Sequence, residues 1–200
     1  MNLKHKAIKT GKELLRTNGT KTGYTLLDFW RWNASDLVSN TLRGRLAEFI
    51  VGSAIGVDFT TPREEWDKYD LHTPSGIKIE IKSSAYIQSW EQDDDSAPSF
   101  NIKRTVAYNS KSRLREAPSK RHADIYVFCL LKHKERDTID PLNMDQWEFY
   151  VVATKTLDTK LGNQKSISLN PLRKLAEPIS YSQLVLEINK KGQELKQQAN

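Results

Sequence analysis

The chain has little sulfur: one cysteine and two methionines in 200 residues. With Cys129 alone, no intrachain disulfide can form and no cysteine-based zinc site can be assembled. Cys129 stands inside the apolar run 125–131 (Ile-Tyr-Val-Phe-Cys-Leu-Leu), so it reads as a small buried hydrophobe rather than a nucleophile. Histidine is scarce as well. His5, His72, His122 and His133 are scattered, and none forms a helical pair of metal ligands. No apolar run approaches the roughly 18 residues that would span a bilayer, and the basic start Met1 to Lys9 has no apolar signal core. A cytoplasmic location with no membrane partner is the expectation.

What is present is charge. Lys and Arg number 31 against 25 Asp and Glu, a formal +6, and charged residues make up 28%. Such a balance fits a polyanionic partner, and equally an ordinary soluble basic protein. The length suits one domain with short appendages.

Residues 3–17 read as a basic helix with Leu3, Ala7, Leu14 and Leu15 apolar, and 17–23, with two glycines, as a turn-rich break. The apolar, aromatic segment Leu26 to Trp32 is expected to pack on the core. Ser35 is an N-cap candidate for a helix over 36–56, where Leu42, Leu46, Phe49, Ile50 and Ser53 keep helical spacing and Gly56 closes the end. Pro74-Ser-Gly76 is a turn, and Ile77-Lys-Ile-Glu-Ile-Lys82 alternates strictly, as a strand with one apolar and one charged face does. Further strands are expected over 100–106, 124–132 and 147–153, and a helix from Ser180 or Ser182 with a polar tail fraying beyond Lys190. The order predicts a mixed α/β fold, one sheet with helices against it. The boundaries expected are a helical extension at 1–34, a main domain at 35–188 and a polar tail at 189–200.

Glu80 and Lys82 lie two apart on the expected strand, so they share a face while Ile79 and Ile81 anchor the other. Asp70 precedes Glu80 by ten positions across the turn, and a hairpin of that length brings the two carboxylates together. Converging carboxylates repel unless a cation sits between them, and Mg²⁺ suits hard oxygen ligands, with the Ile81 carbonyl as a further donor. A bound metal lowers the pKa of a coordinated water and stabilises charge on a phosphate; with Lys82 beside it, the set suits phosphodiester hydrolysis. Glu48, flanked by apolar residues, is either a fourth member or a partner for Arg45. The triplet itself is common: Asp158-Thr-Lys160 and Glu194-Leu-Lys196 also occur. Neither lies in an alternating apolar strand behind a turn and an upstream Asp. The bland alternative for 77–82 is a half-exposed strand with a solvated charged face.

Glu48, Asp70 and Glu80-Ile-Lys82, in the order helix, strand, strand, resemble the PD-(D/E)xK nuclease superfamily of restriction-endonuclease-like fold. The longer strings 80–90 (Glu-Ile-Lys-Ser-Ser-Ala-Tyr-Ile-Gln-Ser-Trp), 121–128 and 146–151 resemble a group of uncharacterised bacterial proteins of that fold. The resemblance covers roughly residues 35 to 155. It implies an αβββαβ core with a mixed central sheet flanked by helices. It implies that Asp70 and Glu80 bind Mg²⁺ (Mn²⁺ substituting), that Lys82 serves catalysis and that Glu48 is either a further metal ligand or a support to the residues that bind the metal. Tyr69 stands where the motif's proline would be. Gln88 could join the site, since some nucleases of this fold carry a glutamine after the lysine strand. Ser83 and Ser84 could contact phosphate or cap the next element.

Between 103 and 122 stand Lys103, Arg104, Lys111, Arg113, Arg115, Lys120 and Arg121 against one acid, Glu116. Such a segment can neutralise phosphates, with Tyr108 placed to stack on an unpaired base; the alternative is a solvated basic loop. The expected function is Mg²⁺-dependent hydrolysis of DNA by an endonuclease of restriction, repair or mobile-element type, in a form that admits a homodimer. The competing expectations are a catalytically silent nucleic-acid-binding module of the same fold, and a structural protein in which 77–82 is a plain amphipathic strand.

Overall fold

In the computed structural model, residues 7–62, 68–109 and 114–197 are described. The chain divides into two compact units, Met1–Leu37 with Asp58–Trp66, and Val38–Val57 with Asp67–Asn200.

The first unit opens with β1 (Leu14–Thr17) and β2 (Thr20–Thr25), an antiparallel pair. The helix expected over 3–17 is therefore absent from its described part. The reason is local: Asn18 and Gly19, at φ 48° and 78°, form the two-residue hairpin turn that an Asn-Gly pair favours. Helix α1 (Leu26–Ala34) follows, with Thr25 and Asp28 closing a reciprocal capping box. Despite its aromatic content, no residue of α1 is buried. A unit built from such short elements cannot enclose its apolar side chains.

The second unit begins with α2 (Asn40–Ala54). Ser39 precedes it, and Ser35, the expected N-cap, instead ends α1. Gly56 follows α2 at φ 71°, as a helix end of this kind requires. Then come β3 (Leu71–His72) and β4 (Lys78–Ala85), the expected hairpin. The strand expected over 100–106 divides into β5 (Ser99–Asn101) and β6 (Thr105–Asn109). Strand β7 (Leu114–Lys120) pairs antiparallel with β6, and its Pro118 falls where the register shifts, the place a strand tolerates a residue without an N–H. Strands β8 (Ile125–Leu131) and β9 (Trp147–Ala153) match their expected positions. Helix α3 (Thr154–Leu161), β10 (Ser166–Ser168), α4 (Leu169–Arg173) and α5 (Leu184–Gln197) complete the unit. Of the tail expected to fray beyond Lys190, the described residues to Gln197 belong to α5.

The fold is mixed α/β. The central sheet has the order β3-β4-β8-β9, with β4 and β8 parallel and the other pairs antiparallel. Alternation along the strands gives the sheet two apolar faces. Ile79, Ile81, Val127, Cys129, Phe149 and Val151 pack with α2 and α5. Tyr126, Phe128, Tyr150 and Val152 pack on the other side with Phe100, Leu157, Ile167 and Leu172 from β5, α3, β10 and α4. Cys129 is wholly buried, and burial pushes its thiol pKa up, which keeps it an unreactive thiol. Among the described residues, no helix is long and apolar enough to cross a membrane.

Candidate active site

Strand β4 is fixed on both sides, by the short β3 and by seven paired positions with β8. Its register puts Leu71 opposite Ile79, so one step on, Asp70 comes opposite Glu80. The chain holds that step twice. Asp70 N donates to Ile79 O at 3.0 Å, and Asp70 Oδ2 accepts from Ile81 N at 2.7 Å. The carboxylate thus takes the place of a strand carbonyl and ties itself to the residue between Glu80 and Lys82.

Glu80 and Lys82 lie on one face, as their spacing requires. Lys82 Nζ donates to Glu80 Oε1 at 2.5 Å, with 28% of the lysine and 20% of the glutamate side chain exposed. The Glu80 carboxyl is held above its ordinary range. Burial is the main cause; Lys82 opposes it, and the negative charges of Asp70 and Glu48 add to it. Asp70, Glu80, Lys82 and Glu48 therefore share one electrostatic neighbourhood. Glu48 reaches it from α2, where it is half-buried beside the core residues Ala47, Ile50 and Val51. On the other flank, Tyr126 of β8 lies in register with Glu80. Burial, then the Glu80 charge, push its hydroxyl pKa up, while Arg121 opposes.

The donor set is carboxylate oxygen, chemistry that suits a hard divalent cation. The side chains are folded on internal partners, Glu80 on Lys82 and Asp70 on Ile81 N. Among the described residues, no three Asp, Glu, His or Cys converge as a group that could hold a metal ion.

Of the remaining expected site residues, Gln88, Arg104 and Arg121 are engaged with other partners. Gln88 is buried, donating to Ala85 O at 3.0 Å and accepting from Arg43 Nη1 at 3.2 Å. Arg43, a residue the sequence reading passed over, also donates to Val38 O and Asn40 Oδ1, and burial lowers its pKa to about 10. Ser84 is buried and accepts from Ser99 N. Arg121 is no open phosphate ligand: its guanidinium is fully buried. Arg104 pairs with Asp158 at 2.8 Å. Lys103 and Lys120 are exposed at the base of the β6–β7 ribbon. Lys111 and Arg113 lie outside the described residues, and Arg115 and Tyr108 are described by their backbone alone.

Residues 2–171 match the profile of bacteriophage T4 endonuclease IV. The chain belongs to the bacteriophage T4 endonuclease IV family. No curated protein matches it. Membership covers the α2–β3–β4 segment with Glu48, Asp70, Glu80 and Lys82, the ribbon, and α3, and it ends within α4. The family name is that of a nuclease, and the cluster on β4 is where this endonuclease IV family member gathers acids and an ammonium on a rigid strand.

Proposed function

We propose that the chain hydrolyses phosphodiester bonds of DNA as a metal-dependent endonuclease, through a PD-(D/E)xK-type site of Asp70, Glu80 and Lys82. The observation that carries this reading is Asp70 bonded to Ile81 N between the paired Glu80 and Lys82 on one held strand, in a member of an endonuclease family. Asp70 and Glu80 would hold Mg²⁺ or its substitute Mn²⁺, with Glu48 and the Ile81 carbonyl as further oxygen donors. The ion, when bound, supplies Lewis acidity toward phosphate and water.

The chain's own groups do the rest. Asp70 locks Ile81, so Glu80 and Lys82, the residues on either side of it, cannot slip in register. The packing of Ile79 and Ile81 beneath keeps the charged face rigid, and preorganised charge needs little rearrangement during reaction. The Lys82 ammonium donates to a water or to a nonbridging phosphate oxygen, holding the first in line and offsetting negative charge on the second. Glu80, whose carboxyl binds a proton more tightly than usual, gains most from any positive charge that enters.

The test is incubation with plasmid and with linear single-stranded DNA, in Mg²⁺, in Mn²⁺ and in EDTA, beside Lys82→Ala. Cutting that needs metal and falls at least about a hundredfold in the variant is expected, the scale of losing one preorganised charge at a phosphate. Equal inertness of wild type and variant on both DNAs would overturn the reading in favour of a silent binding module.

A further inference from the structure

Within the second unit, the β6–β7 ribbon begins and ends side by side, Thr105 pairing with Lys120. Arg104 is the residue just before β6, and Arg121 the residue just after β7. Both donate to a single oxygen of α3: Arg104 Nη2 to Asp158 Oδ1 at 2.8 Å, Arg121 Nη1 to the same atom at 2.6 Å. Arg121 spends its other donors on the frame around that point. Its Nε donates to Ile102 O at 2.8 Å, Nη1 also to Gly162 O at 3.0 Å, and Nη2 to Gln164 O at 3.2 Å. One carboxylate therefore clamps both feet of the ribbon to the C-terminal end of α3. A buried guanidinium with four acceptors fixes the joint, because each acceptor would be costly to leave unpaired.

The clamp adjoins the end of β8 that pairs with the charged strand: three residues after Arg121, Asp124 N donates to Lys78 O of β4 at 2.9 Å, and two residues further on Tyr126 lies in register with Glu80. Lys103 and Lys120, the exposed cations beside the two feet, are held in place by the same joint.

We infer that Asp158 is a positioning residue for the nuclease reaction: by holding Arg104 and Arg121 on one oxygen, it aims the basic ribbon along the nucleic-acid strand that meets the Glu80–Lys82 face. The inference rests on the proposed nuclease function. Asp158 touches no reacting atom, so its loss misplaces the substrate and leaves the chemistry of a correctly placed substrate intact.

The experiment compares wild type, Asp158→Asn and Asp158→Glu. It reads kcat and KM on DNA, melting temperature, and amide hydrogen exchange across 105–120 without DNA. For Asp158→Asn, KM rises about tenfold while kcat stays within about twofold, the pattern of lost substrate binding rather than lost chemistry. Ribbon exchange accelerates, and Asp158→Glu recovers most of the KM. Should Asp158→Asn fail to fold, Arg104→Lys, at the half-buried foot, keeps the charge and loses the planar fork, and is expected to raise KM in the same sense. A wild type that cuts DNA, with variants whose KM is unchanged or whose kcat falls with KM constant, removes the positioning role and spares the nuclease reading. A wild type that neither binds nor cuts DNA overturns both.

Discussion

At the scale of single residues, the β4 site stores electrostatic tension. Burial and two neighbouring carboxylates raise the Glu80 pKa from its ordinary 4.5. The unfolded chain gives up this proton first as pH rises, and the folded chain holds it longer. Stability is therefore lost as pH climbs from the unfolded value through the folded one, and the loss is complete above it. At neutral pH, ionised Glu80 works against the fold. In EDTA at pH 7, Glu80→Gln is expected to melt above wild type. Added Mg²⁺ should raise the wild-type melting temperature and leave the variant's in place. A variant that melts lower in EDTA would mean that the ion pair with Lys82 outweighs burial. Asp70, Glu80 and Lys82 were legible as neighbours because a strand period of two and a Pro-Gly turn are local signals. Arg121 and Gln88 were not. The acceptors around Arg121 come from Ile102, Asp158, Gly162 and Gln164, which only the folded chain brings together, so a run of charge read as open surface hid a buried joint.

At the scale of elements, the sequence is clearest where one pattern lasts. Strands β8 and β9 and the β3–β4 hairpin stand where alternation or apolar runs put them, and α2 ends where Gly56 ends it. The stretch from α3 to α4 escaped because its elements run only three to eight residues, shorter than the window in which periodicity can be read. Helix α5 was expected from Ser180 or Ser182, and only its length escaped, for another reason. Polar composition suggested fraying from Lys190, yet the helix continues to Gln197 because Gly192 lets it come close against the sheet. A Cβ built on Gly192 would lie 2.0 Å from Ile77 Cδ1 and 3.1 Å from Ile77 Cγ1, and Ile77 is itself buried in the core. Gly192→Val is expected to destabilise by about 1–3 kcal/mol through overpacking, which exceeds what leaving glycine returns in helix propensity. Urea unfolding would measure it. An unchanged midpoint would mean that Ile77 repacks without strain.

At the scale of the whole molecule, the net charge of +6 conceals a sharp partition. The first 37 residues carry seven basic and three acidic side chains, and 103–121 carry seven and one; the rest holds seventeen basic against twenty-one acidic. Positive charge is thus concentrated in two stretches on an otherwise acidic chain, one in each compact unit. Exposed charge of this kind binds polyanions by releasing their counterions, so each phosphate contact has a measurable signature in salt. The ribbon stands in the same unit as the β4 site, and at its base Lys103 and Lys120 are exposed, where the proposed DNA contact can be tested. Replacing this pair by Gln is expected to flatten the slope of log affinity against log salt by roughly 1.5, with each contact contributing about 0.7 to 0.9. The melting temperature should hardly move, because exposed charges contribute little to stability. The matching replacement of Lys9, Lys12 and Lys21 reads the other unit: a slope that flattens there too means that this stretch also contacts phosphate. If the ribbon pair leaves the slope untouched, the substrate runs along another face, and the basic stretch is solvated surface.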